Sequence, residues 1–336
     1  MKAVGYTERL PIEDERALLD LDLPDPVPGP RDLLVRVAAI SVNPRDIKSR
    51  KSTEPSAGQP VILGYDASGT IEAAGPSVTL FRPGETVFYA GVLNRPGSNA
   101  ELQCVDERIV GRKPASLDHA AASSLPLTAL TAWEMLFDRL GIERHGGAGQ
   151  ALLILGGAGG VPSIAIQLAR ALTGLTVVAS ASRPESERWV RECGAQHVID
   201  HHKKLHDQVK ALGIAPIRYV FSTHTDARVW AEIARLIAPQ GKFGLIDDPE
   251  PLDLRLMKMK SVSIHWEAMF TRPMFATEDM IRQHEILTEV AGLVDRGALR
   301  PTAAQNFGAI NAGNLRRAHA AIERGDVIGK IVLTGF

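Results

Sequence analysis

The chain has 336 residues, of which 45% are hydrophobic and 23% charged, and a formal net charge of −1. That length accommodates two domains, and the near-neutral balance gives no electrostatic reason to expect nucleic acid or an anionic membrane as a partner. Two cysteines are too few for a disulfide framework, no apolar run reaches a membrane span, and the charged start MKAVGYTERLPIEDER lacks an apolar signal core, so a soluble, reduced, cytoplasmic protein is expected.

Residues 1–30 read as a short strand, Lys2–Tyr6, then an acidic turn, then an extended Pro24–Pro30 segment whose alternating prolines forbid a helix. Leu33–Ser41 alternates as a strand does and runs into Asn43-Pro44-Arg45-Asp46-Ile47-Lys48. Pro60–Asp66 follows, then a strand over Ala67–Ala73, and Gly75, Pro83-Gly84 and Gly91 mark turns between short strands. This part predicts an all-β, barrel-like domain. A helix starts at Leu125-Pro126 and runs to about Leu140.

The pattern then changes to alternating strands and helices, and Ala151–Arg183 organises it. An apolar strand, Ala151–Leu155, leads into Gly156-Gly157-Ala158-Gly159-Gly160. A helix with Ile164, Leu168, Ala171 and Leu172 on one face follows, then a strand over Thr176–Ala181. Strand, glycine turn, helix, strand is the first half of a dinucleotide-binding fold. Glycine is needed because a pyrophosphate must approach bare backbone at a helix N-terminus, where free N–H groups and the helix dipole favour an anion. Gly157, Ala158, Gly159, Gly160 and Val161 are the expected phosphate-side residues. Pro162 stands where the third glycine of G-x-G-x-x-G would be. It is tolerated in a first helical turn but removes one donor.

The end of the second strand selects the dinucleotide. An acid there would bind the ribose of NAD. Here it reads Ser180-Ala181-Ser182-Arg183, and Ser182 and Arg183 offer a hydroxyl and a charged fork to a 2′-phosphate. NADPH is therefore the expected cofactor, with a solvated Arg183 and a ribose-binding Glu185 as the alternative. Beyond it, helix 185–193, strand His197–Ile199, helix 204–212, strand Tyr219–Ser222, helix 227–237 and strand Lys242–Ile246 complete a doubly wound parallel sheet. Ligands bind at the carboxyl ends of such strands, which adds His201, Thr223 and Asp247 to the cofactor side. His201, His202 and His206 form no metal set, because no Cys or carboxylate joins them. Ser261–Glu267 is a further strand, with Met257, Met259, Met269, Met274 and Met280 expected around it. A helix over Glu278–Arg296 and a strand from Gly329 to Leu333 end the pattern.

The order N-P-x-D-x-K, L-G-Y-D-x-x-G, P-G-x-x-V, L-P-x-T-x-x-T-A and GGAGGV, behind a Pro-x-Pro opening, resembles the medium-chain dehydrogenase/reductase superfamily. Within it the chain is similar to the quinone oxidoreductase (zeta-crystallin-like) branch and to bacterial zinc-type alcohol dehydrogenase-like proteins. RPGSNAE, VDERIVGRKP and FGLIDDP carry that narrower match. The resemblance covers the whole chain. It implies an α/β plus β architecture: a GroES-like catalytic domain, 1–127 completed by 298–336, and a Rossmann domain, 128–297. It also implies that Thr131 faces the nicotinamide end and that the Ser261–Glu267 edge pairs with its copy in a homodimer.

Zinc-using relatives place a Cys where this chain has Asn43 and a G-H-E motif where it has Gly64-Tyr65-Asp66. Their structural zinc needs four close cysteines. No metal is therefore expected. The reading is NADPH-dependent reduction of quinones or α,β-unsaturated carbonyls, with Tyr65, Asn43 and the cofactor ribose as donors to the developing negative charge. Tyr65 as a structural cap of the barrel, a zinc-dependent alcohol dehydrogenase, and a non-catalytic NADPH-binding protein are the alternatives.

Overall fold

The computed structural model describes the whole chain except residues 57 and 326. It divides into two compact units, Met1–Leu130 with Phe270–Phe336, and Thr131–Met269.

The first unit is mostly β. Its central strand, Asp32–Val42, pairs antiparallel with Ala67–Ala74, with Leu102–Asp106 and with the C-terminal strand Lys330–Thr334. Thr86–Tyr89, Val110–Arg112 and Ala303–Asn306 complete this seven-stranded sheet. Leu33, Val35 and Val37 alternate into one core, and a register shift between Val37 and Ala39 brings Ile40 to the same side, with Val87, Val105, Ile331 and Leu333. Two register pairs matter for the site. Ile331 lies opposite Val42, and Ile40 lies opposite Ala67, so Lys330, Asn43 and Asp66 meet at one end of three paired strands.

Lys2–Tyr6 forms a small sheet with Leu19–Asp22 and Val61–Ile62. Leu19–Asp22 is a strand where an acidic turn was expected. Its residues alternate half-buried and exposed, so Asp20 and Asp22 face outward along an edge, and acidity at outward positions is no bar to pairing.

The second unit is a six-stranded parallel sheet. Its order is His197–Ile199, Thr176–Ser180, Ala151–Ile154, Ile217–Ser222, Ile237–Leu245, Ser263–Trp266. Chain order reverses beside Ala151–Ile154, which is the switch point where doubly wound sheets bind ligands. Strands at the centre are buried on both faces, so they read as apolar runs such as Ala151-Leu152-Leu153-Ile154.

Three expectations shift. The helix expected to reach Leu140 is α-helical over Pro126–Trp133 and then widens to a π-helix over Glu134–Arg139. The expected Rossmann span of 128–297 ends at Met269 by contact, because the Arg282–Asp295 helix packs in the first unit. There Leu287 lies against Gly111, where any Cβ would come within 2.5 Å of its own, and the His284 ring bonds to Val110 O at 2.7 Å. The methionines do not gather either. Met257 is core of the second unit, Met280 is core of the first, and Met259 is 90% exposed.

Candidate functional site

In the first unit the strand register builds a buried polar centre. Asp66 Oδ2 accepts from Ser41 Oγ at 2.8 Å, Asn43 Nδ2 at 2.8 Å and Lys330 Nζ at 3.0 Å. Its other oxygen accepts the Leu127 backbone N–H at 2.8 Å, in the first turn of the Pro126–Trp133 helix. Lys330 Nζ also donates to Asn43 Oδ1. Asp46 accepts backbone N–H bonds from Asn43 at 2.8 Å and Gly64 at 3.0 Å. All five side chains are buried. Burial pushes the Asp46 carboxyl up to about 7, against the pull of those N–H groups and of Lys330.

Asn43 was expected to offer its amide to a substrate carbonyl. In the structure its oxygen is taken by Lys330 and one N–H by Asp66, while the other N–H lies 3.4 Å from Ser41 O. Tyr65 is buried, with its hydroxyl donating to Ser49 Oγ at 3.1 Å. The Arg45 Nε–H reaches the same oxygen at 3.3 Å, and the Phe270 ring meets Tyr65 edge-on at 5.3 Å. Burial raises the phenol pKa, so the hydroxyl keeps its proton.

In the second unit the expected cofactor residues fall at the carboxyl ends of adjacent parallel strands. The glycine turn follows Ala151–Ile154. Gly156 has φ +75°, and a Cβ there would lie 2.4 Å from Thr223 Oγ1, so Thr223 closes directly on the turn. At Gly157 a Cβ would meet Ser180 O and Val190 Cγ1 at 2.9 Å. Glycine at both positions is therefore enforced by space. Gly159 caps the Gly160–Leu172 helix, whose first two residues, Gly160 and Val161, precede Pro162. Their N–H groups open the helix as an anion site, beside the half-buried Ala158. The Ser163 hydroxyl does not stand in for the N–H that Pro162 lacks, since it donates to Gly159 O at 2.7 Å and accepts from Trp189 Nε1 at 2.7 Å.

Ser182 and Arg183 are exposed at the end of Thr176–Ser180, and Arg183 precedes the Pro184–Glu192 helix. Asp247 is spent on the neighbouring loop, where its carboxylate accepts the Thr225 N–H at 2.5 Å. His201 stacks near His202 at 4.4 Å between ring centres, and burial first, then that neighbour, lowers its pKa. It is a neutral imidazole beside the strand end. Thr131 is buried in the Pro126–Trp133 helix.

The sequence did not disclose a second polar cluster. Glu267, just past Ser263–Trp266, and Glu134, at the start of the π-helix, are both buried. Glu267 Oε2 accepts from Arg139 Nε at 2.7 Å, whereas Oε1 is buried and meets no donor. Burial, and then the Glu134 carboxyl within hydrogen-bonding reach, raise the Glu267 pKa well above the usual carboxylate range, against the pull of Arg139. Lys330 was likewise missed as a site residue. Its one signal is a lysine opening an otherwise apolar terminal strand, Lys330-Ile331-Val332-Leu333.

Family models match residues 29–115 as an alcohol dehydrogenase GroES-like domain and residues 193–333 as a zinc-binding dehydrogenase. A zinc-type alcohol dehydrogenase-like protein of Staphylococcus aureus is 40% identical, over 99% of both chains. The chain belongs to the medium-chain dehydrogenase/reductase superfamily. It is an oxidoreductase of that superfamily, with the GroES-like and Rossmann-type domains of its fold. A candidate zinc-dependent alcohol dehydrogenase from Rhizobium etli CFN 42 matches with a TM-score of 0.96 and 56% identity, over 100% of this chain and 98% of that one. A human mitochondrial NAD(P)H oxidoreductase is 31% identical, over 90% of this chain and 82% of its own. The quinone oxidoreductase of Coxiella burnetii matches with a TM-score of 0.79 and 25% identity, over 100% and 99%.

The superfamily's zinc can be tested against the donors present. Zinc takes thiolate, imidazole and carboxylate ligands in a tetrahedron. Position 43 offers an amide oxygen already held by Lys330, position 65 a protonated phenol, and the two cysteines lie one in each unit. Among the described residues no group of three or more His, Cys, Asp or Glu is placed to hold a metal. The residues do not fit zinc. They do fit a dinucleotide, because the glycine turn runs straight into the N-terminus of the Gly160–Leu172 helix beside the strand-order reversal, and a Cβ at Gly159 would meet nothing nearer than 3.5 Å. Among the described residues no helix is long and apolar enough to cross a membrane.

Proposed function

We propose that this chain is an NADPH-dependent, zinc-independent reductase of quinones or α,β-unsaturated carbonyl compounds. The observation that carries the reading is the glycine turn at the strand-order reversal with Ser182 and Arg183, rather than an acid, at the next strand end. The bound cofactor would supply a hydride. The chain's own residues do the rest. Gly157, Ala158, Gly159, Gly160 and Val161 receive the pyrophosphate on bare backbone at a helix N-terminus. Arg183 pairs with the 2′-phosphate as a charged fork, and Ser182 adds a donor. Thr223 and Thr131 line the remaining length, with His201 as a neutral neighbour, and Asp247 holds the Thr225 loop in place.

In the first unit Tyr65 is the proton donor to the carbonyl oxygen, on turning its O–H away from Ser49 Oγ, which accepts it at 3.1 Å in the free chain. Burial keeps the phenol protonated until then. Asn43 acts by position, because both ends of its amide are engaged. A homodimer forms through the Ser263–Trp266 edge, where Trp266 is 64% exposed beside an unpaired sheet margin. The reading is supported by the name of the human relative and by the failure of positions 43 and 65 to suit zinc. Its test is oxidation of NADPH and NADH side by side, with quinones and enones as acceptors, with and without chelator. NADPH-preferring turnover insensitive to chelation is expected. Tight NADPH binding without turnover on any acceptor would favour a non-catalytic role.

A further inference from the structure

Arg45 and Tyr65 meet at one oxygen. Ser49 Oγ accepts the Tyr65 hydroxyl at 3.1 Å and the Arg45 Nε–H at 3.3 Å. Tyr6 holds the backbone of that serine from the other side, donating to Ser49 O at 3.3 Å and Thr53 O at 2.9 Å. The rest of the Arg45 fork, Nη1 and Nη2, meets no acceptor among the described residues, and no carboxylate among them lies within ion-pair reach. The acid beside it in sequence, Asp46, is spent on the backbone N–H groups of Asn43 and Gly64. Arg45 is half-buried, and it stands in the first turn of the Pro44–Ser52 helix, where the dipole disfavours a cation. The charge therefore does nothing for the helix, and it lies next to the hydroxyl taken above as the proton donor.

We propose that Arg45 selects an acidic substrate: its Nη1 and Nη2 groups take the carboxylate of an α,β-unsaturated ketone whose carbonyl oxygen meets Tyr65. The inference rests on the Tyr65 reading above and deepens it, by naming the substrate class. A guanidinium presents parallel N–H donors that match the two oxygens of one carboxylate, and its single charge balances that of one carboxylate. Arg45 and Tyr65 both address Ser49 Oγ, so the two groups they hold lie only a few bonds apart. The carboxylate and ketone of a 4-oxo-2-alkenoate are spaced in that way. The Phe270 ring, edge-on to Tyr65 at 5.3 Å, gives the unsaturated carbons an apolar wall.

The test compares 4-oxo-2-pentenoate with its methyl ester, which lacks the charge that Arg45 reads, on the full-length parent, Arg45→Ala and Arg45→Lys. The parent should favour the acid over the ester in kcat/KM. Arg45→Ala should lower kcat/KM for the acid about 10- to 100-fold, the size expected for a lost charge-assisted pair, and that for the ester much less. The KM for NADPH should stay unchanged, and ethylguanidinium should restore part of the rate with the acid. Arg45→Lys keeps the charge without the fork, so it should fall between the two. Arg45 has no ion pair to lose, so Arg45→Ala should keep the Tm of the parent. A binding arm needs no turnover. Ligand-observed NMR with 4-oxopentanoate and its methyl ester, on the NADPH-loaded protein, should show the acid bound more tightly by the parent and no such preference in Arg45→Ala.

Two outcomes overturn the proposal. One is equal binding of acid and ester by the parent. The other is a preference for the acid that survives Arg45→Ala. Turnover of quinones or neutral enones without that preference would leave the reductase reading standing and remove Arg45 from it. Arg45-dependent binding of the acid without turnover of any acceptor would uphold Arg45 and overturn the reductase.

Discussion

Replacing Glu267 by Gln removes one ionisable group from the buried pair it forms with Glu134. Burial and the facing carboxyl raise the Glu267 pKa above its ordinary value of 4.5, so the folded chain holds a proton there that the unfolded chain releases. That stability is fully present below the unfolded pKa and is lost as pH rises toward the folded one. The slope for one proton is about 1.4 kcal/mol per pH unit. Between pH 5 and pH 8 the parent therefore loses about 4 kcal/mol on account of this pair, the macroscopic proton belonging to both carboxyls. Glutamine escapes that loss and keeps a neutral carbonyl acceptor for Arg139, as the protonated carboxyl does. Glu267→Gln should then be about as stable as the parent at pH 5 and about 4 kcal/mol more stable at pH 8. Burial and the Glu134 carboxyl outweigh the opposite pull of Arg139 on the Glu267 pKa, so Arg139 does not reverse that sign. Denaturant unfolding at pH 5, 6.5 and 8 measures it. An equal difference between variant and parent at all three pH values would refute the shared proton.

Other expectations follow from the site. Tyr65→Phe should lower turnover about tenfold or more with NADPH binding unchanged, as expected for a lost proton donor, and steady-state kinetics with separate binding titrations check this. Unchanged turnover would leave Tyr65 a structural cap. Arg183→Ala should raise the KM for NADPH about tenfold or more while sparing NADH, and equal effects on both cofactors would return the ribose to Glu185. Gly157→Ala places a Cβ 2.9 Å from Ser180 O. It should abolish dinucleotide binding in calorimetry and cost about 1–3 kcal/mol in stability. Retained binding would remove the glycine turn from the cofactor account.

The second unit was legible because its signals are local. The apolar run at Ala151, the glycine turn and the 3.6-residue period of the next helix all fit within about thirty residues, and strand His197–Ile199 falls as predicted. The strand ends then line up by register, with Ile154 opposite Ala179 and Phe221, and Ser180 opposite Ile199. Thr223 and the glycine turn were thereby named together from sequence. The first unit's polar centre was not legible as a centre. Asn43, Tyr65 and Asp66 stand in recognisable motifs, but Lys330 lies 287 residues from Asn43 along the chain. Only antiparallel pairing of the first and last long strands joins them, and strand pairing leaves no local mark in sequence. Glu134 and Glu267 are distant in sequence too, and they meet only because the π-helix packs against the Ser263–Trp266 strand. The π-helix escaped notice because its residues, Glu134-Met135-Leu136-Phe137-Asp138-Arg139, have ordinary helix composition.

The most direct measurement of the central claim is the initial rate of reduced-nicotinamide oxidation by purified protein. NADPH and NADH are compared at equal concentration against a panel of quinones and enones, before and after exhaustive chelation. The account predicts turnover that prefers NADPH and survives chelation, with at least one quinone or enone accepted. Turnover lost on chelation and restored by zinc would contradict it, as would a preference for NADH.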